Sequence, residues 1–208
     1  MKTFSAVLEL KTHAFAVREM GILLVLVGMC LALAFTTPGF AEVDNLLLVA
    51  RQFSMFATMG VGMTMVIITG GIDLSVGSLI ALAAVVTAGL IKNLGGEAAP
   101  AAAMCLASGA AIVVCGLIGA FSGAVITRFG VPPFIATLVM MQVASGIAYI
   151  LARGRPIYQV PESFVALGRA SDPLLGVPYA VLLMVVIYVA AHLLMARTVL
   201  GRHIYAVG

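Results

Sequence analysis

Tryptophan is absent from this 208-residue chain, and charged side chains make up only 9% of it. Soluble domains carry about 25% charge, so an ordinary water-facing surface cannot be assembled from these residues. The net charge of +3 is spread along the chain, without the basic stripe that a nucleic-acid binder needs, and nucleic acid is set aside as a partner. Cysteine is scarce: Cys30, Cys105 and Cys115 all lie in apolar runs. An odd number outside loops is no disulfide framework, and no C-x-x-C spacing suits a metal. They read as small hydrophobic packers. A G-x-x-x-x-G-K-[ST] phosphate loop is missing, so the chain is not expected to hydrolyse ATP itself. Neither H-E-x-x-H nor G-x-S-x-G occurs, and His13, His192 and His203 are far apart in sequence. His192 reads as a boundary residue rather than a ligand. No catalytic residue, metal site or cofactor is expected.

What is present is apolar. Hydrophobic residues reach 63%, with 22 Gly and 12 Met, against about 45–50% apolar in soluble domains. Gly enrichment is a habit of membrane helices. Uncharged runs of about 18 or more residues mark spanning helices, and six candidates stand out: roughly 20–37, 53–70, 74–91, a segment within 98–127, 132–151 and 174–196. The expected fold is all-α, a polytopic transmembrane bundle. The run from Met20 to Ala41 is too long for a signal-peptide core and is interrupted by Pro38, so it reads as a retained first helix. Residues 1–19 set Phe4, Val7, Leu8 and Phe15 among charges; they read as a cytoplasmic segment with the pattern of a helix lying on the lipid surface.

An even number of spans places both ends on one side. With that side cytoplasmic, Lys2, Lys11, Arg18, Arg128, Arg197 and Arg202 lie inside. Arg51, Lys92, Arg153, Arg155 and Arg169 lie outside, with nearby acids that cancel them. This is a slight positive-inside bias. The sizeable loop is 152–173, "ARGRPIYQVPESFVALGRASDP", and by parity it faces outward. "VPPF" is expected to start a helix at Pro132 or Pro133, with Gly130 and Val131 in a short turn. "CGLIGAFSGA" carries Gly116, Gly119, Ala120 and Gly123 at spacings that let helices approach closely.

The most unusual stretch is "VIITGGIDLSVGSLIAL", residues 66–82. A charge in hydrocarbon costs about 2.5–3.5 kcal/mol on insertion scales, and a helix-interior Gly costs roughly 1 kcal/mol against Ala. Only "GGID" separates two apolar runs. Either two full spans meet in a tight turn, or a helix breaks inside protein or a water-filled cavity. In the reading favoured here, Gly70 and Gly71 break the helix and free backbone groups toward a polar cavity. Asp73 and Ser75 then cap the next helix, and Gly77 lets a neighbouring helix come close. The competing reading makes Asp73 a contact for substrate or an ion. Gln52, Thr58, Thr64, Thr137 and Gln142 are polar positions on spans that line a path or bond across helices.

"ITGGIDLSVGSLIALAAVV" resembles the signature of the ribose-type sugar ABC-transporter permeases, the inner-membrane subunits of bacterial monosaccharide importers. "GLIGAFSGAVITRFGVPPFIATLVMMQVASGIAYIL" resembles that family's next block, with a core from Pro133 to Leu138. "RTVLGRHIYAVG" resembles the stretch leading to its cytoplasmic coupling loop. The resemblance covers about 20 to 208. It implies a permease that pairs with a second permease copy and with an ABC ATPase subunit, receives sugar from a periplasmic sugar-binding protein, sits among membrane lipid and does no covalent chemistry. Arg153 and Arg155 would then receive the binding protein. In the family a Gly-Asn and Ala-Ala segment and about four further spans follow, so this chain is expected to match the N-terminal two-thirds of a permease. Two rivals stand beside that reading: an ion-coupled secondary transporter, which needs inverted repeats, and a non-transporting membrane remnant.

Overall fold

A computed structural model describes residues 20–173 and 176–208. The expected segment 1–19 lies outside the described residues. Eight α-helices are described: α1 Met20–Thr36, α2 Val43–Ile68, α3 Val76–Asn93, α4 Ala101–Phe129, α5 Pro133–Leu151, α6 Glu162–Arg169, α7 Tyr179–Arg197 and α8 Val199–Val207. A short 3-10 turn, Gly96–Ala98, joins α3 to α4. Five helices (α2, α3, α4, α5 and α7) are long and apolar enough to cross a membrane, and the described part of α1 is a shorter apolar helix. The chain is a multi-pass helical membrane protein. At 1.5 Å per residue, α2 is about 39 Å and α3 about 27 Å long. Both match a hydrocarbon core of about 30 Å within the mismatch that tilt and local thinning absorb.

The chain divides into two compact units, Met1–Val49 and Ala50–Gly208. In the first, α1 ends in a turn closed by the Thr37 amide donating to Leu33 O at 2.9 Å and by Asn45 Nδ2 donating to Phe40 O at 2.7 Å. Gly39 supplies the left-handed residue of this turn at φ 84°. The helix α2 that follows begins ten residues before the expected residue 53. Asp44 in its first turn suits the positive end of the helix dipole.

In the second unit α3 is central and packs against α4 and α5. The seams are built from small residues. On α4 Ala103, Ala107 and Ala111 are buried at four-residue spacing, and on α5 Ala144 and Ala148. Leu82 of α3 fills the space beside Ala144 and Ala148, flanked by Val114 and Ile118. Close backbone approach through small residues replaces the hydrophobic drive that lipid does not provide. Near the far end of α3, Ile91 packs with Ala99, Ala103 and Ala107 under Val160 and Phe164. The loop expected over 152–173 therefore contains a helix, α6, and folds over that end of the bundle. Large apolar side chains such as Ile112, Leu117, Phe121 and Ile150 are exposed, as expected where lipid is the solvent.

The helix starts follow local chemistry. Pro132 and Pro178 occupy the cap positions before α5 and α7, where a missing N–H costs nothing. Gly130 closes α4 in the left-handed conformation, φ 65°. Thr198 separates α7 from α8, and its side chain accepts from the Gly201 amide at 3.3 Å.

Candidate functional site

The unusual 66–82 stretch is a corner between two complete helices. The α2 amide ladder closes with Gly71 N donating to Val66 O at 3.0 Å and Gly70 N donating to Ile67 O at 2.9 Å. This pair of bonds is a Schellman ending, with Gly70 as its left-handed residue at φ 74°. Gly71 is needed for a different reason. A Cβ there would sit 3.1 Å from Val66 Cγ1 and 3.3 Å from Val66 O. These glycines were expected to free backbone groups toward a polar cavity; their own amides instead close back on Val66 O and Ile67 O of α2.

Asp73 Oδ1 accepts both the Ser75 amide, at 2.7 Å, and the Ser75 hydroxyl, at 2.6 Å. The carboxylate thus satisfies the two donors of Ser75, the residue that precedes α3. Ser75 itself makes no side-chain cap bond, so its expected capping role is also corrected. Its hydroxyl braces Asp73, and its carbonyl accepts from Ser78 Oγ at 2.7 Å and Leu79 N at 2.9 Å. Ser75 and Ser78 are buried. Hydrogen-bond donors gathered around one oxygen explain how the acid is accommodated at a helix start. The second Asp73 oxygen makes no hydrogen bond to the described residues.

α5 is pinned to this corner. Thr137 is buried, and its hydroxyl lies 3.1 Å from Ile72 O and 2.8 Å from its own helix carbonyl at Pro133. The cross-helix bond reading for Thr137 describes this position. Cys115 Sγ approaches Leu79 O at 3.4 Å, a packing role one turn further along α3, while Cys30 and Cys105 are exposed.

Other sequence candidates lie apart from the corner. Gln142 is on the exposed face of α5. Around Gly77, Gly116, Gly119 and Gly123 an added Cβ would meet nothing within 4 Å, and Ala120 is exposed. Within the described residues these positions make no close helix contact; the α4 seam uses Ala103, Ala107 and Ala111 instead. Arg153 and Arg155 are exposed at the opposite end, beyond the end of α5. Their turn is closed by Gly154 N donating to Tyr149 O at 3.1 Å and Arg155 N to Ala152 O at 3.0 Å.

A feature that sequence reasoning passed over is a groove of about 230 Å³ between α2, α7 and α8, lined by Thr64, Tyr188, His192 and Tyr205 among apolar neighbours. Ile68 at the end of α2 and Tyr205 of α8 both line it, so α8 and the Gly70–Ser75 corner lie at the same end of the bundle. The signal was available: Tyr188 and His192 are four residues apart, which puts both on one face of an otherwise apolar helix. His192, read from the sequence as a boundary residue, lines this groove with Tyr188.

Residues 45–208 match the family described as branched-chain amino acid transport system / permease component. The ribose import permease protein RbsC of Escherichia coli K12 is 37% identical over 95% of this chain and 60% of its own length. RbsC of Bacillus subtilis 168 is 33% identical over 100% of this chain and 63% of its own. The L-arabinose ABC transporter permease protein AraH of Azospirillum brasilense is 30% identical over 92% and 54%. The chain therefore spans about 60% of the length of the curated relatives it matches. No solved structure gives a significant match. On the family match, the chain belongs to this permease family.

Proposed function

We propose that this chain acts as a permease subunit of a bacterial ABC importer, passing a ribose-type monosaccharide across the inner membrane. The observation that carries the reading is the 37% identity to a ribose import permease over 95% of the chain. A separate ATPase subunit drives the cycle, a periplasmic sugar-binding protein delivers the sugar, and a second permease copy completes the pathway. Both ends of the chain face the cytoplasm in this reading. That places the Gly70–Ser75 corner, the Gly130 turn and α8 on the ATPase side, and the loop with Arg153 and Arg155 on the side of the binding protein.

The geometry adds a physical rationale. Transport needs helices that move as rigid bodies about well-held junctions. A corner in which Asp73, Ser75 and Thr137 satisfy the backbone holds α2, α3 and α5 together at one end. The Asp73 carboxylate spends one oxygen on Ser75, a structural duty that argues for capping over ion coupling. Gly116, Gly119, Ala120 and Gly123 present an open face of α4 for a further helix, from a second copy or another part of the assembled permease.

The test is uptake of labelled D-ribose into cells carrying the permease with its ATPase and binding protein. Uptake that requires ATPase turnover is expected. Uptake that persists when the ATPase is inactivated, but collapses with the proton gradient, would overturn the reading in favour of a secondary transporter.

A further inference from the structure

We infer that the groove between α2, α7 and α8 is a contact site for one neutral monosaccharide on its way through the membrane, an inference that rests on the permease reading above. Four hydrogen-bonding side chains from three helices converge there: Thr64, Tyr188, His192 and Tyr205. Their capacities are set by bonds already made. Thr64 donates its proton to Gly60 O at 2.7 Å, and Tyr188 donates to Ala57 O at 3.1 Å. Both oxygens are left as acceptors. Tyr205 can donate and accept, and the two ring nitrogens of His192 add further hydrogen-bonding positions. This mixture suits a polyhydroxylated ligand, whose hydroxyls both give and take protons. The rings of Tyr188 and Tyr205, with Met65 and Met195 in the same lining, supply apolar area for the carbon side of a sugar ring.

The same lining discriminates between ligand classes. It contains no Asp, Glu, Lys or Arg. An amino acid carries an ammonium and a carboxylate, and removing ions from water without partners costs several kcal/mol each. The groove is therefore matched to a sugar rather than to the amino acid in the family's description. Its size agrees. At about 30 Å³ per water it holds roughly eight waters' worth of liquid, close to the ten non-hydrogen atoms of a pentose. A phospholipid fits less well. The groove follows α2 from Val61 to Ile68, about 10 Å of helix, shorter than the roughly 15 Å depth of one leaflet.

The experiment is protection from thiol labelling in membrane vesicles that hold the permease with its ATPase. Thr64→Cys and His192→Cys are each labelled with a hydrophilic maleimide, the unsubstituted chain giving the background from its own cysteines. D-ribose at ten times its dissociation constant should slow labelling about tenfold, and L-leucine should leave it unchanged. Two separately placed cysteines guard against one variant failing to fold. Labelling unaffected by ribose at both positions, or slowed equally by leucine, would overturn the proposal. Labelling that responds to added phosphatidylglycerol but not to ribose would overturn it in favour of a lipid site. ATP-driven ribose uptake by the unsubstituted importer separates the two levels. Uptake without protection sinks the groove alone, whereas leucine uptake in place of ribose sinks the monosaccharide reading and the groove with it.

Discussion

Replacing Gly70 by Ala isolates a single backbone term. Gly70 stands at φ 74°, and an added Cβ would meet nothing within 4 Å, so no side-chain collision enters. An L-residue in the left-handed region costs roughly 1–2 kcal/mol. Ala also restricts the unfolded chain, which returns about 0.4–1 kcal/mol. The net loss is about 1 kcal/mol, a factor of about five in the local opening equilibrium. The two bonds that the loss loosens are the amides of residues 70 and 71 on Ile67 O and Val66 O. Hydrogen exchange followed by mass spectrometry in detergent micelles should show peptides covering 66–75 exchanging about fivefold faster. Peptides around Val85 and Val86, inside α3, should be unchanged. Gly70→Asn should recover much of the loss, because Asn tolerates this conformation. Exchange at 66–75 that is unaltered in Gly70→Ala, or as fast in the Asn variant as in the Ala variant, would show that the left-handed backbone at residue 70 does not hold this corner.

Three other substitutions probe the same architecture. Asp73→Ala removes the acceptor that holds Ser75 ahead of α3 and should cost about 1.5–3 kcal/mol, the range for a hydrogen bond to a charged group, whereas Asp73→Asn, which keeps an acceptor oxygen, should keep most assembly; equal losses in unfolding titrations of the two would count against this bracing role. Thr137→Val deletes the hydroxyl facing Ile72 O and should destabilise by about 0.6–1.7 kcal/mol, the range for interhelical hydrogen bonds in membranes, with Thr137→Ser restored to the native midpoint. At Gly201 an added Cβ would collide with the Met195 backbone, so Gly201→Ala should cost at least about 1–3 kcal/mol of overpacking. Limited proteolysis at Arg202 should report it as faster cleavage, and native-rate cleavage would show that α8 does not cross α7 so closely.

Much of the architecture could be read from hydropathy alone, because a chain dissolved in lipid must write its spans as long uncharged runs. The Pro132–Pro133 start and the Gly130 turn were equally legible, since each depends on one residue's backbone limits. Loop content was harder to see. α6 is only eight residues long and is held by Val160 and Phe164 settling on the ends of α3 and α4, a contact no local pattern announces. The early start of α2 was hidden by Arg51, which marked a boundary in the sequence but lies inside the helix; its Nε is buried without a hydrogen-bond partner among the described residues.

At the corner, the glycines and Ser75 make other contacts than those expected of them. Gly70 and Gly71 act through different causes, one a dihedral and one a steric limit. Only the geometry separates them. Ser75 looked like a cap because of its type and place, yet it serves Asp73. Thr137 lies 65 residues from Ile72, and a single chain carries no periodic signal linking them. The small residues of "CGLIGAFSGA" were expected to let a helix approach closely, but the neighbours within the described residues use Ala103, Ala107 and Ala111 instead. Tyr188 and His192 show the opposite failure: their spacing was legible, and the significance came only when α2 and α8 supplied the other walls.

Gly70–Ser75 forms a closed corner between two helices, at the same end of the bundle as α8 and opposite the Arg153 loop. The most direct measurement is labelling with a membrane-impermeant maleimide of Ile72→Cys, Arg202→Cys and Arg153→Cys, each from either side of oriented vesicles. Residues 72 and 202 should react from the cytoplasmic side alone and residue 153 from the other. Ile72→Cys labelled together with Arg153→Cys, or buried from both sides while Arg202→Cys reacts, would contradict this arrangement and point to a re-entrant break in mid-membrane.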